Sequence, residues 1–380
     1  MTGSAEHAAR RTQVRRVLDV LELALEQSSG TLETALVQSL TPIARSEIAR
    51  VRQELCKIGS PDDDGWKELA ALSEKVRRIA DETLAFVGGL AARTAGLDRE
   101  TCVLADELIS AFATALQVGA QPVTLPSAGE YIDVLSEVIR VRFPGRGLWD
   151  LPIVLHEFGH LLAARFRSTR PGPVPSDIFA GERERKHYRG TFAEEYWADT
   201  FATYAGGPAY AFAALSRFEP ARASFDQGVT HPAAVKRASA IFQTLEALQA
   251  TWEKSDSSGG TLRPAIDRAR DSWHAVLASA GVDPALEVED LQLVGGLTTS
   301  FIAILEREHP GVRYANASRA AQVRRFLAGQ GAQPDDCSLL DVLNGAWWLR
   351  STMAPDVAFE QLTDIADAAR SLHLNQLQDA

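Results

Sequence analysis

The stretch His156-Glu157-Phe158-Gly159-His160 is the part of the chain that decides its organisation. Two histidines four residues apart on a helix lie on the same face about one turn from each other, so both imidazoles can reach one metal ion. Glu157 follows the first histidine by one residue, which places it beside a metal rather than on it, where a general base for a metal-bound water must lie. The stretch therefore predicts a zinc site with His156 and His160 as ligands and Glu157 as the base.

The flanks of this stretch favour a buried helix. Apolar residues surround it on both sides, from Leu151 to Ala164. Asp150 can cap the first turn, Pro152 falls where a missing N–H costs nothing, and a Pro-Gly-Pro segment from residue 171 stops the helix. Isolated histidines on a surface helix are the alternative interpretation. Apolar flanks argue against it, because buried imidazoles need a metal or a hydrogen-bond partner.

Length and charge narrow the class of protein. A chain of 380 residues is long enough for two or three packed units, because single cores stop growing at about 250–300 residues. The net charge of -11 argues against a nucleic-acid partner, which needs a basic face. The arginines near the start are a local exception, and they form either a basic patch or a solvated helix start: Arg10, Arg11, Arg15 and Arg16.

Cysteine usage and hydropathy bear on the compartment. Cys56, Cys102 and Cys337 are odd in number and far apart, which favours a reducing compartment over a disulfide framework. The first residues show no basic-then-apolar signal pattern, and no run of 18 clean apolar residues occurs. These features predict a soluble, cytoplasmic protein without a membrane span.

The chain divides into three predicted parts. Residues 1–120 and 261–380 show apolar positions at helical spacing and form helical N-terminal and C-terminal units, which serve either packing or protein-partner binding. Residues 121–253 form the core that carries the site. Its one convincing strand is Glu137–Phe143, which alternates apolar and basic residues and is expected to offer an edge for an extended peptide. The segment from Pro171 to Gly190 is expected to be an exposed loop, either over the cleft or a plain connector.

A second helix carries more acidic residues. Thr191 and Glu194 fit a capping box, with Thr191 as the cap, which leaves Glu195 free. Glu195 and Asp199 then lie four apart on one face of this helix. Further on, Pro232 suits the first position of another helix and leaves His231 at its start.

The pattern His156-Glu157-x-x-His160 followed by Glu195-x-x-x-Asp199 resembles the gluzincin metallopeptidases. That resemblance implies that Glu195 is the third zinc ligand and that Asp199 supports a ligand imidazole. The fold implied is a small zincin-like α+β metallopeptidase core, a short sheet plus the metal helix, within a mainly α protein.

The order of the motifs looks most like the branch that holds the CAAX prenyl proteases and the HtpX-type heat-shock proteases. The resemblance rests on His231-Pro232 with Arg237 six residues after the histidine. It implies that His231 and Arg237 face the cleft and stabilise the oxyanion or anchor the substrate backbone. The plain alternative is that His-Pro starts a helix and that Arg237 is solvated.

These features together predict a soluble endopeptidase that uses Zn²⁺ and acts on a protein or peptide substrate. His156, His160 and Glu195 leave a fourth position for water, and Glu157 moves its proton. His231, Arg237 or Tyr188 would offset the charge on the tetrahedral oxygen. The alternative is a non-catalytic helical interaction or sensor protein with a structural or vestigial zinc site. A third hypothesis joins them, a regulated protease whose helical regions sense a partner.

Overall fold

The computed structural model of the protein describes residues 2–28, 34–59, 62–97, 99–118, 123–127, 131–133, 138–142, 147–166, 168–184, 190–218, 231–255, 262–279, 281, 291–353 and 359–379. Helices make up most of these ranges, so the prediction of a mainly α protein is confirmed. No helix in the described ranges combines the length and the apolar character that crossing a bilayer would require.

Fourteen α-helices and three strands follow one another in the described ranges. In chain order they are α1 (Thr2–Ser28), α2 (Thr34–Lys57), α3 (Asp63–Thr94), α4 (Arg99–Ala115), β1 (Thr124–Ser127), β2 (Tyr131–Asp133), β3 (Val138–Arg142), α5 (Val154–Arg165), α6 (Pro175–Glu184), α7 (Gly190–Gly206), α8 (Pro208–Leu215), α9 (Ala234–Ser255), α10 (Arg263–Ser279), α11 (Leu291–Glu308), α12 (Ala317–Leu327), α13 (Leu339–Ser351) and α14 (Phe359–Asp379).

One compact unit comprises residues 1–103 and 122–145. Its helices α1, α2 and α3 bury apolar residues at helical spacing, because one stripe of each helix faces the shared core. Asp62 caps α3 by accepting a hydrogen bond of 2.8 Å from the Gly65 amide. The side chains enclosed in this core include Leu18, Leu25, Ile48 and Leu55.

The sheet of this unit has the strand order β1-β3-β2. β3 pairs in parallel with β1 and antiparallel with β2, so it is the central strand of the described sheet. The expectation that this strand offers an edge to a peptide is therefore wrong. The alternation of Ile139 with Arg140 predicted a strand correctly, but alternation alone does not reveal how many neighbours a strand has.

A second compact unit comprises residues 104–121 and 146–380. α7 lies at its centre and packs against α5, α6, α8, α9 and α11. From Phe192 onward almost every side chain of α7 is buried, including Trp197 and Phe201, as expected for a helix that other helices surround. This unit holds every residue of the metal site predicted from the sequence.

The two units divide the chain differently from the three predicted parts, 1–120, 121–253 and 261–380. β3 groups with the N-terminal helices, while α5 groups with the C-terminal ones, because the grouping follows contacts in space rather than changes in composition. The segment from Pro171 to Gly190 is not simply a loop as expected, because it contains α6. An acidic residue in the first turn, Asp177, suits the start of that helix.

Candidate metal centre

The helix that carries the first two predicted ligands, α5, starts later than the sequence suggests. A short 3-10 turn at Leu151–Ile153 precedes it, and Pro152 lies in the first turn of that segment. Asp150 makes no side-chain capping bond. Its carboxylate instead lies 2.7 Å from the guanidinium of Arg217, so it joins two segments that are 67 residues apart in the chain.

α5 and α7 approach each other closely at Gly159. A Cβ atom at this position would lie 2.9 Å from the Cα of Ala198, which real Cβ contacts essentially never show. The indole of Trp197 donates a hydrogen bond of 2.9 Å to the Gly159 carbonyl across the same contact. The absence of a side chain at Gly159 therefore brings the residues of the two helices within reach of one metal ion.

The structure brings His156, His160 and Glu195 together. The two Nε2 atoms lie 3.2 Å apart, and each lies 3.4 Å from one carboxylate oxygen of Glu195. The site is buried, since the exposed fractions of the His156 and Glu195 side chains are 6% and 10%. Among the described residues this trio is the group of possible ligands whose atoms all lie within 4.8 Å of one another.

These separations test whether a metal fits. Bonds of about 2.0–2.1 Å to a tetrahedral ion place its ligand atoms about 3.4 Å apart. The 3.2 Å between the two Nε2 atoms agrees with that geometry, and each Nε2 lies 3.4 Å from a Glu195 oxygen, Oε2 for His156 and Oε1 for His160. Glu195 Oε2 is also enclosed without a hydrogen-bond partner, which is costly unless a cation lies beside it. The donors present therefore fit one small divalent cation.

Asp199 contacts the His156 imidazole at Nδ1, the nitrogen that does not face the other ligands. Its Oδ1 lies 3.0 Å from His156 Nδ1, so Nδ1 can carry the proton and Nε2 can face the other ligands. Arg237 binds the same carboxylate with two hydrogen bonds of 2.7 Å. The hydroxyl of Tyr210 donates to Asp199 Oδ1 and lies 3.2 Å from His156 Nδ1. The Asp199 carboxylate thus has partners on three sides.

The electrostatics follow from burial and from these partners. Burial works against the ionised form of Asp199, but the charge and hydrogen bonds of Arg237 hold its pKa well below the usual range. Burial likewise opposes ionisation of Glu195, yet its contacts with His156 and His160 hold its pKa well below the usual value. Both carboxylates are therefore negative at neutral pH.

The same carboxylates act on His156. Burial lowers the pKa of this imidazole, but the hydrogen bond and charge of Asp199, together with Glu195, outweigh burial and raise it to about 10. A cation between the ligands would take the place of this proton, since metal ligands must be deprotonated and binding releases protons.

Tyr210 reaches the site because of a tight turn between α7 and α8. Gly207 has φ +66°, a conformation that favours glycine, and a Cβ here would lie 2.6 Å from a ring carbon of Tyr314. Asn344 fixes the turn by donating to the Gly206 carbonyl and accepting from the Ala209 amide, at 2.8 and 2.9 Å. The turn therefore fixes the direction of α8, and Tyr210 lies in the first turn of this helix.

The remaining predicted residues lie around this centre. Glu157 is 9% exposed, and its carboxylate makes no hydrogen bond or ion pair with another described residue. His231 has an exposed side chain, and its Nε2 lies 3.8 Å from Glu195 Oε2. Arg237 is largely buried against Asp199, while its Nη1 lies 3.8 Å from the same Glu195 oxygen. The fourth candidate, Tyr188, lies outside the described residues.

Two details differ from the sequence analysis. α7 begins at Gly190, one residue before Thr191, which the sequence analysis placed at the N-cap. Glu195 is distinguished from Glu194 by its distances to the imidazoles instead. Tyr210 was missed because it lies outside the motifs on which the predicted site was based. The signal was present, since Tyr210 carries the single side-chain hydroxyl of the apolar helix Pro208–Leu215, and a buried hydroxyl needs a partner.

The arrangement can hold a divalent cation between two imidazoles and a carboxylate, with a second carboxylate next to it in sequence and an exposed imidazole nearby. Comparisons with protein-family models, with curated proteins and with solved structures find no match to this chain.

Proposed function

We propose that the protein is a zinc-dependent endopeptidase. One observation carries the proposal: the Nε2 atoms of His156 and His160 lie 3.2 Å apart and each lies 3.4 Å from an oxygen of Glu195, close enough to share one metal ion, with Glu157 directly after the first ligand. Three protein ligands leave a fourth position open, which is the pattern of catalytic rather than structural zinc sites. Glu157 favours catalysis as well, because a closed structural site has no use for a carboxylate that does not bind the metal.

A bound zinc ion would supply a Lewis acid that acidifies a water molecule and polarises a peptide carbonyl. Glu157 accepts the proton of the attacking water on its carboxylate and passes it to the leaving amine. His156 and His160 offer their Nε2 lone pairs, and Asp199 keeps the proton of His156 on Nδ1. Arg237 and Tyr210 hold the Asp199 carboxylate in place for this task.

His231 and Arg237 take different parts in this proposal. His231 is exposed near Glu195, so its imidazole is positioned to donate a hydrogen bond to the carbonyl oxygen of a bound peptide. Arg237 directs its hydrogen bonds to Asp199, which assigns it a positioning part rather than contact with the substrate. This differs from the cleft-facing part that the resemblance implies for Arg237.

The family assignment is part of the proposal. The order of the ligands along the chain, two on α5 and one on α7 with Asp199 one turn later, supports a gluzincin site. A zincin-like α+β core is proposed on the same resemblance alone. Regulation by a partner that binds the helical regions is compatible with the proposal, and peptide segments of proteins are its expected substrates.

The test compares wild type with Glu157→Gln, and Glu194→Gln serves as a matched control on the helix of the third ligand. Zinc content is measured by mass spectrometry, and cleavage is measured on an unbiased peptide library. We expect one zinc per chain in all three proteins and turnover lower by about 10²-fold or more in Glu157→Gln only. Equal cleavage by wild type and Glu157→Gln would refute hydrolysis with Glu157 as base. Full zinc without any cleavage by wild type would favour the non-catalytic sensor.

A further inference from the structure

Helices α1 and α3 of the first unit run side by side and in the same direction. Near their starts, His7 packs edge-on against Trp66, with ring centres 5.0 Å apart. Further along, Val17 and Ala80 line one groove of about 340 Å³ between the two helices. The contacts therefore follow the same order on both helices, and residues one turn later on each helix lie further along the same groove.

The surface that continues this groove is apolar and exposed. Val20 follows Val17 by three residues and Leu84 follows Ala80 by four, so each lies one turn further along the same side of its helix. Their exposed fractions are 63% and 59%, and Leu23, three residues after Val20, is 51% exposed. These are the three most exposed large apolar side chains of the described residues. Val17, Val20, Leu23, Ala80 and Leu84 together form the α1–α3 face, and such a concentration of exposed apolar residues is typical of a binding surface.

Basic residues predominate beside the start of this face. The adjacent segments 5–17 and 73–81 carry seven arginine or lysine residues and three acidic ones, in a chain whose net charge is -11. Arg10 lines the groove, and Arg16 lies four residues before Val20, on the same side of α1. Both arginines are exposed, and neither makes an ion pair or hydrogen bond with another described residue. Two cations next to the apolar face are therefore available to a partner.

The acidic residues of the same segments do not neutralise these cations. Glu74 and Asp81 both form ion pairs with Arg77 instead. Glu6 lies one turn before Arg10, but no ion pair joins these two side chains. A second copy of the chain would bring the same excess of positive charge to the interface, and like charges across an interface are unfavourable.

We propose that the α1–α3 face binds an acidic amphipathic helix of a partner protein. The apolar stripe of such a helix packs on Val20, Leu23 and Leu84, as in other complexes in which a helix lies in an apolar groove. Its carboxylates pair with Arg10 and Arg16, which sets the orientation of the bound helix and excludes basic helices. The proposal does not rest on the peptidase activity, because the residues of the candidate metal centre belong to the other unit.

The test measures binding of labelled synthetic helices to the full-length protein by fluorescence anisotropy. Three peptides of equal length are held helical by a side-chain staple. The first has a leucine stripe flanked by glutamates, the second has lysines in place of the glutamates, and the third has alanines in place of the leucines. We expect the first to bind about tenfold more tightly than either of the others, and added salt should reduce its advantage over the lysine peptide. Equal binding of the lysine peptide would overturn the charge assignment, and no binding of the first peptide at millimolar concentration would overturn the site.

A matched pair of leucine variants locates the apolar contact. Leu84 and Leu97 are both exposed, at 59% and 41%, but only Leu84 belongs to the α1–α3 face. Leu84→Gln should weaken binding of the acidic peptide by about fivefold or more, whereas Leu97→Gln should leave it unchanged. Thermal unfolding checks that both variants fold, as expected for exposed positions. Equal affinities of the two variants would place the peptide elsewhere and refute the proposal.

A matched pair of charge reversals locates the ionic contact. Arg10→Glu combined with Arg16→Glu should reverse the order of the peptides, so that the lysine peptide binds more tightly than the glutamate peptide. Arg15→Glu combined with Arg78→Glu changes the net charge equally, but neither residue lies on the side of its helix that forms the face. This second pair should keep the wild-type order. The same reversal in both pairs would attribute the preference to net charge and contradict the assignment to Arg10 and Arg16.

Other occupants of the face are separate outcomes of the test. A wild-type dimer in analytical ultracentrifugation that Leu84→Gln abolishes would show that a second copy of the chain covers the face. Binding to vesicles of phosphatidylglycerol and phosphatidylcholine that the same variant abolishes would show a membrane surface there. Either result would overturn the proposal of a partner helix.

Discussion

Two buried imidazoles of the second unit each lie against a carboxylate, yet their surroundings differ. His373 Nε2 contacts both oxygens of Glu107, at 2.7 and 2.9 Å. Its Nδ1 is enclosed and has no hydrogen-bond partner among the described residues. His156 contacts Asp199 through Nδ1, and its Nε2 meets the ring of His160 and the carboxylate of Glu195.

The difference shows what separates a structural ion pair from a candidate metal centre. A carboxylate beside an imidazole fixes the orientation of the ring in both cases. Only at His156 does the second nitrogen meet further donors at the spacing of a coordination sphere. The carboxylate of Asp199 is in addition held by Arg237 and Tyr210, whereas Glu107 lines an open cavity.

The largest effect is expected from His160→Ala. This variant removes one of three ligands, so zinc content should fall from about one ion per chain to none detectable after dialysis. His373→Ala is the matched control, because it removes a buried imidazole outside the trio, and its zinc content should equal that of wild type. Full occupancy in His160→Ala would show that the ligands lie elsewhere and would remove the distinction between the two imidazoles.

A smaller effect is expected from changing the carboxylates that contact the two imidazoles, Asp199 at His156 and Glu107 at His373. Asp199→Asn should lower zinc affinity by about 10–100-fold, the usual cost of losing a residue that orients a metal-binding histidine. Glu107→Gln changes the other pair in the same way and should leave zinc affinity unchanged. Affinities are measured by competition with a chromophoric chelator. A stability measurement on both variants is needed as well, since Asp199→Asn removes the nearer of the two carboxylates that pair with the buried Arg237.

The smallest effect is expected from Tyr210→Phe. This change removes one hydroxyl from the Asp199 carboxylate and keeps the ring, so about 1 kcal/mol, or roughly fivefold in zinc affinity, should be lost. Tyr314→Phe is the control, because it removes a buried hydroxyl that donates to Asp341 instead. Equal zinc affinities of the two variants would show that the Tyr210 hydroxyl does not contribute to zinc binding and that the residue contributes by packing alone.

Sequence reasoning succeeded where the determining pattern is local. Residues four apart on a helix share a face, so the pairing of His156 with His160, and of Glu195 with Asp199, needs no knowledge of the fold. The mainly helical architecture is likewise predictable from apolar spacing within each segment. The zinc ion and the peptidase activity stay predictions.

The rest depends on contacts between distant segments. Tyr210 and Arg237 reach His156 from 54 and 81 residues away, and no periodic pattern connects such positions. The central place of β3 depends on two neighbouring strands that are too short to stand out in the sequence. Asp150 shows the same limit, because a residue suited to a helix cap can find a stronger partner in Arg217.

Gly159 has a consequence for any attempt to rebuild this centre. The motif on α5 supplies the two imidazole ligands. The distance between α5 and α7 depends on Gly159, which has a hydrogen atom where other residues have a Cβ atom. Copying the ligands onto another pair of helices would therefore reproduce the composition of the centre without its dimensions. In a mutational scan this position should be among the least tolerant in the chain, although Gly159 offers neither a metal ligand nor a reacting group.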